Sequence, residues 1–186
     1  MKKKDYDVTI AYRIYPEVSK NPAIFSKDKY KLAEFCLKSF KNSLGSLKVK
    51  VLAILDKCPP DYEYLFKKYF DEKDLIIINQ RGIGNRATFG LQIETLLKQQ
   101  FSNIIYFAED DYYYLPSQFE QMISFLKRYS DVEFVTPYDH LDYYTSDFHR
   151  HKHETRAFKN KIWRTVNSVC LIFLQLKKLF KKLKMY

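Results

Sequence analysis

The chain has 186 residues, 46% of them hydrophobic and 17% aromatic, with four glycines and six prolines. That length leaves room for one packed core and no second catalytic domain, and the composition excludes a disordered or linker-rich chain. A formal net charge of +10 would by itself point to nucleic acid, but nine of the 32 basic residues follow position 154, where no acid occurs; the remaining 23 basic side chains nearly balance 22 acidic ones and argue against that partner.

The apolar run Val8-Thr9-Ile10-Ala11-Tyr12 predicts a buried strand, and residues 28–44, with Leu32, Phe35, Cys36, Ser39 and Phe40 on one stripe, predict a helix that Gly45 stops. Residues 49–55 predict a second strand. Pro59-Pro60-Asp61 opens a helix striped by Tyr62, Leu65, Phe66 and Tyr69, and residues 75–78 predict a third strand. A helix over residues 86–100, carried by Phe89, Ile93, Leu96 and Leu97, leads to a fourth strand over residues 103–107 that runs into Glu109-Asp110-Asp111. Pro116 starts another helix through Phe119, Met122, Ile123 and Leu126, and residues 132–136 predict a fifth strand. This alternation predicts an α/β fold with a mixed, mostly parallel sheet and helices on both faces.

Over residues 138–161 the pattern gives way to a polar, aromatic, His-rich stretch, too long for an ordinary connection and of the kind that carries function. Residues 166–174 are strand-like again. In residues 176–186, Leu176, Leu179, Phe180 and Leu183 oppose Lys177, Lys178, Lys181, Lys182 and Lys184, which predicts a basic amphipathic helix that rests on an anionic membrane surface or packs on the domain. The chain is thus divided into a domain of residues 1–175 and a helix of residues 176–186. Cys36, Cys58 and Cys170 form neither a disulfide framework nor a C-x-x-C metal site. No signal-peptide core and no span of about 20 apolar residues is present, so a cytoplasmic protein is expected, peripheral on the inner face of a membrane where the C-terminal helix rests on lipid rather than on the domain.

Three successive acids at the carboxyl end of a strand repel one another unless a cation or solvent relieves them, and ligands of open α/β sheets bind at that edge. Oxygen ligands without nearby thiolates favour Mg2+ or Mn2+. Acids in such places are otherwise solvated residues or helix caps. The ordered set Tyr12-Arg13, Asp56, Arg81-Gly82-Ile83-Gly84-Asn85 and Glu109-Asp110-Asp111 resembles family 2 glycosyltransferases of the GT-A fold over residues 8–174.

That resemblance implies a nucleotide-diphosphate sugar as donor and a glycan or lipid-linked acceptor. It implies that Tyr12 and Arg13 border the donor, that Asp56 faces the base or ribose, and that Arg81 and Arg86 approach the diphosphate. Gly82, Gly84 and Asn85 would let the backbone come close. Asp111 would bind the metal directly, with Glu109 and Asp110 on metal-bound water or the donor sugar; the triplet departs from a strict Asp-x-Asp. For an inverting reaction the long loop offers Asp139, Asp142 and Glu154 as general base, with Asp139 expected nearest the sheet. His149, His151 and His153 alternate in sequence, and one of them, His149 or His151 foremost, is a candidate further metal or phosphate ligand. Arg156 and Arg164 are candidates to close over the phosphates, and Trp163 with Tyr112, Tyr113, Tyr114, Tyr138, Tyr143 and Tyr144 supplies aromatic surface for an acceptor groove. Alternatives are another metal-dependent nucleotide-processing enzyme, such as a nucleotidyltransferase, and a non-enzymatic basic module that binds membrane or nucleic acid.

Overall fold

A computed structural model describes residues 4–17, 24–150, 152–167 and 172–178. The strands are β1 (Val8–Ile14), β2 (Val49–Asp56), β3 (Leu75–Gln80), β4 (Ile104–Glu109), β5 (Phe134–Val135), β6 (Thr155–Phe158), β7 (Lys161–Arg164) and β8 (Phe173–Leu176). The helices are α1 (Lys29–Ser43), α2 (Asp61–Tyr69), α3 (Asn85–Lys98), α4 (Gln118–Arg128) and the single turn α5 (Asp142–Thr145).

Six strands form one sheet in the order β3-β2-β1-β4-β8-β5, and β6 pairs with β7 in a separate hairpin. β1 through β4 are mutually parallel, whereas β8 runs antiparallel to both β4 and β5. All residues of β1 and β2 are buried, as expected for central parallel strands covered on both faces. Alternation sorts their side chains. Val8, Ile10, Tyr12 and Ile14 join Phe40 of α1, Leu65 and Phe66 of α2 and Phe119 and Met122 of α4 in the larger core, while Ala11, Leu52, Ile105 and Phe107 meet Leu96, Phe89 and Ile93 of α3 on the other face.

Three departures from the sequence reading have local causes. The fifth strand covers Phe134–Val135 rather than residues 132–136. Beyond it the Thr136 hydroxyl donates to the Ile172 carbonyl (2.7 Å) and accepts from the Tyr138 amide (3.1 Å), and Pro137 has no N–H for a ladder. The polar stretch is structured: α5, a 3-10 turn (Asp147–His149) and the β6–β7 hairpin occupy most of it. Finally, Leu176 lies in β8, and Lys177 is buried, its amide donating to the Asn103 carbonyl (2.9 Å) and its ammonium to the Gln99 carbonyl. Leu176 therefore ends the sheet, and the helix expected from residue 176 begins at Lys177, whose side chain is buried rather than solvated. Residues 179–186, His151 and Cys170 lie outside the described residues.

Candidate functional site

Because β1 to β4 are parallel, their carboxyl ends share one edge, and β1 is flanked by β2 on one side and β4 on the other. At such a reversal of strand order the following loops diverge and leave a crevice. Asp56, Glu109 and the start of α3 all meet there.

Asp56 ends β2 and is 2% exposed. Its Oδ1 accepts from the amides of Gly82 (2.7 Å) and Ile83 (2.8 Å), and its Oδ2 from that of Gly84 (2.9 Å). The turn holding those amides needs glycine: Gly82 has φ 90°, and Gly84 has φ 84° and ψ 169°, a region that side chains with a Cβ avoid. α3 begins directly after Gly84 and has no side-chain cap. On either side of the turn, Arg81 and Arg86 are exposed and make no ion pair or hydrogen bond among the described residues.

Arg13, near the end of β1, is 9% exposed. Its guanidinium donates to the Glu109 carboxylate, to the Asn85 carbonyl (2.9 Å) and side-chain oxygen, and to the Thr88 hydroxyl (3.3 Å). One side chain thus joins β4 to the first turn of α3. Lys29 of α1 pairs with Asp110 at 2.9 Å, and Asp110 also accepts from the Tyr15 amide at 3.4 Å. Burial raises the Asp110 carboxyl to about 6 against the opposing pull of Lys29, and burial likewise raises Glu109 against Arg13. Asp111 is exposed, and its carboxylate engages no partner among the described residues. Nearby thiols are inert: burial pushes Cys36 and Cys58 up to about 12.

Several expectations are corrected by this geometry. Tyr12 points into the core, edge-on to Phe40 and Phe66, because alternation turns it away from the face that Arg13 occupies. Arg13 spends nearly all its donors on protein oxygens. The relief expected for the acidic triplet comes in large part from Arg13 and Lys29. Among the described residues no three His, Cys, Asp or Glu side chains are arranged to hold a metal by themselves. Glu109 and Asp110 are paired with Arg13 and Lys29, so an Mg2+ or Mn2+ ion held here would draw on Asp111 as the protein's carboxylate and would need ligand oxygens for the rest of its donor set. His149 does not belong to that set: it is buried, its Nδ1 faces Asn167 Oδ1 at 2.7 Å, and it packs on Tyr143 and Phe148.

A cleft of about 1140 Å3 opens beside the acidic motif, between the loop carrying Tyr112 to Leu115 and the β6–β7 hairpin. Asp139, Glu154, Tyr138, Tyr144, Arg164 and Trp163 line it, and Asp142 does not. Asp139 is held by Arg164 (3.0 Å) and by the Tyr144 hydroxyl (3.1 Å). Arg164 stacks over the Tyr144 ring at 4.2 Å, and Trp163 stacks on Phe125 at 4.4 Å. Asp142 faces His140 and His149 at the opening of α5. Arg156 clamps Asp131 bidentately (2.9 and 2.5 Å), which anchors the hairpin rather than leaving the guanidinium free.

Sequence reasoning missed Lys29, Thr88 and Gln92. Lys29 precedes Leu32, Ala33, Cys36 and Phe40 at helical spacing, so extending that stripe backwards would have buried it. Thr88, Gln92 and Leu96 share one face of α3, and the Gln92 amide donates to the Ala11 (2.8 Å) and Ala108 (3.0 Å) carbonyls, tying α3 to β1 and β4.

No protein-family model and no curated protein matches the chain. Solved structures do. TarS 1–349 from S. aureus superposes with a TM-score of 0.63 at 10% identity, over 97% of this chain and 50% of that one. Its complex with UDP-GlcNAc gives 0.60 at 11% identity, over 97% and 48%. The mannosyltransferase PcManGT from Pyrobaculum calidifontis, in complex with GDP-Man and Mn2+, gives 0.50 at 15% identity, over 77% and 41%. This chain spans about half the length of these structures. No helix among the described residues is long and apolar enough to cross a membrane. The fold shared with these structures, built on a mostly parallel six-stranded sheet with helices, is the GT-A fold.

Proposed function

We propose that this chain carries the nucleotide-sugar-binding domain of a metal-dependent, inverting glycosyltransferase that moves a sugar from a nucleotide-diphosphate sugar to a glycan or lipid-linked acceptor. The observation that carries the reading is the convergence, at the switch point of a GT-A sheet, of an acidic motif and the first turn of α3, joined through Arg13, with a glycine turn directly before that helix. The solved neighbours in complex with UDP-GlcNAc and with GDP-Man and Mn2+ support a donor of this class.

On this reading the diphosphate lies at the amino end of α3, where unpaired N–H groups and the helix dipole favour an anion and Arg81 and Arg86 add charge. Asp111 would hold the metal, which when bound would supply neutralising charge for the leaving diphosphate. The acceptor lies in the cleft, its ring against Trp163 or the tyrosines, with a hydroxyl directed at Asp139. That hydroxyl oxygen bonds to the anomeric carbon as the bond from the anomeric carbon to phosphate breaks, and its proton passes to Asp139, which Arg164 and Tyr144 keep oriented. Glu154, at the same cleft, is the alternative base.

A thermal-shift panel of UDP-, GDP-, CDP- and dTDP-sugars, with nucleoside triphosphates beside them and Mn2+ present or absent, tests this. A ligand at 100 times its Kd adds about 2.7 kcal/mol, or roughly 5–10 °C for a chain of this size. One nucleotide-sugar class should give that shift with metal, and Asp111→Ala should remove its metal-dependent part. A response to triphosphates alone would move the assignment to nucleotidyl transfer.

A further inference from the structure

Asp56 is the residue that the family resemblance directs at the nucleobase or ribose, yet its surroundings describe a different task. A carboxylate offers four lone-pair sites, and three of them are spent on the amides of Gly82, Ile83 and Gly84. At 2% exposure the fourth, on Oδ2, has almost no access to a ligand. The bonds run from the end of β2 to a turn 26 to 28 positions later in the chain.

Other holds on the turn reach only its last residue, whose carbonyl accepts from the Thr88 amide (2.9 Å) and hydroxyl (3.0 Å). Residues 81–87 are exposed, so no side-chain burial fixes them, and α3 lacks a capping side chain. Gly82 and Gly84 occupy backbone regions that carry no intrinsic preference for one geometry. Without an acceptor beneath them, three adjacent N–H groups would turn to water and the turn would sample many conformations. Arg13 secures the next residues by binding the Asn85 carbonyl and Thr88, and Lys57 closes the other side, its amide donating to the Gln80 carbonyl (2.9 Å).

We infer that Asp56 is a positioning residue: a buried clamp that fixes the Gly82–Gly84 turn and, through it, the placement of Arg81, Arg86 and the amino end of α3, without reading the nucleobase. Its effect on ligand rests on the functional reading above; the clamp itself does not.

Amide hydrogen exchange on the free protein tests the clamp directly. In the unmodified chain the amides of Gly82, Ile83 and Gly84 should exchange slowly although their residues are exposed. In Asp56→Asn, which loses the charge and at least one acceptor, they should exchange roughly tenfold or more faster while β1 and β2 amides are unaltered. Titration with UDP, GDP, CDP and inorganic pyrophosphate forms the second arm: the variant should weaken all four by a common factor, because a displaced turn penalises every diphosphate alike. Fast exchange of the three amides in the unmodified protein overturns the inference, as does slow exchange retained in the variant or an affinity loss confined to one base with pyrophosphate unaffected. Should the variant not fold, exchange in the unmodified protein decides alone. Failure of the unmodified protein to bind any of the four would refute the functional reading and leave the exchange arm to judge the clamp.

Discussion

Arg13 and Glu109 lie largely out of water, with side chains 11% and 15% exposed, and removing one partner strands the other. Arg13→Ala should therefore cost about 3–5 kcal/mol in urea unfolding, whereas replacing both residues with apolar ones of similar volume should cost less than the single change. A double change as damaging as the sum of both singles would mean that the pair does not interact. Asp28 offers a pH test of an exposed group. It caps α1 by accepting from the Lys31 amide at 3.0 Å, and that bond holds its carboxyl below the usual range. A lowered folded value means stability that is present above the unfolded value of about 3.9 and is lost as pH falls through the folded one. Melting curves between pH 3 and 5 should show the native chain losing stability faster on acidification than Asp28→Asn, with the two converging at low pH; parallel curves would remove Asp28 from the acid response.

One glycine lies just before α3 and one inside it, in contrasting settings. Gly84, just before the helix, sits at φ 84° and ψ 169°, and no neighbour lies within 4 Å of an added Cβ, so the cost of Gly84→Ala is backbone strain of about 1–3 kcal/mol. Gly90 lies inside α3 with the same open space, and Gly90→Ala should stabilise by about 0.5–1 kcal/mol. Equal effects of the two changes in thermal melts would contradict this account. The β6–β7 hairpin is not part of the large sheet and is held by side chains: Trp163 on Phe125, Phe158 on Phe125 and Tyr129, and Arg156 on Asp131. Combining Trp163→Ala with Arg156→Ala should make residues 152–167 sensitive to limited proteolysis while the sheet keeps its circular dichroism. Unchanged protease resistance would show that other contacts hold the hairpin. Since this element forms one wall of the cleft, the same variant should weaken acceptor turnover more than donor binding.

The full assembly of six strands brings together a candidate site that no single segment contains. The elements themselves were legible in sequence: β1, β2 and β4 as apolar runs, α1, α2 and α4 as stripes of period 3.6, and the acidic triplet as an anomaly at a strand's end. These depend on local periodicity and on which residues tolerate burial, and both are properties of a short window of chain. What lay beyond the sequence were pairings at long range. Nothing in residues 166–176 announces that β8 inserts antiparallel between β4 and β5, because strand order is set by how the whole chain closes. The partners of the acids were equally hidden: Lys29 stands 81 positions before Asp110, and Arg13 stands 96 before Glu109. Sequence thus determined which groups carry charge at the edge and which residues leave the backbone free there, through composition and turn chemistry. Tertiary structure alone decided which of those groups remain open to a ligand, because a hydrogen bond or ion pair is spent on whichever partner the fold carries to it, and Arg13 and Asp56 are spent on the protein while Arg81, Arg86 and Asp111 are not.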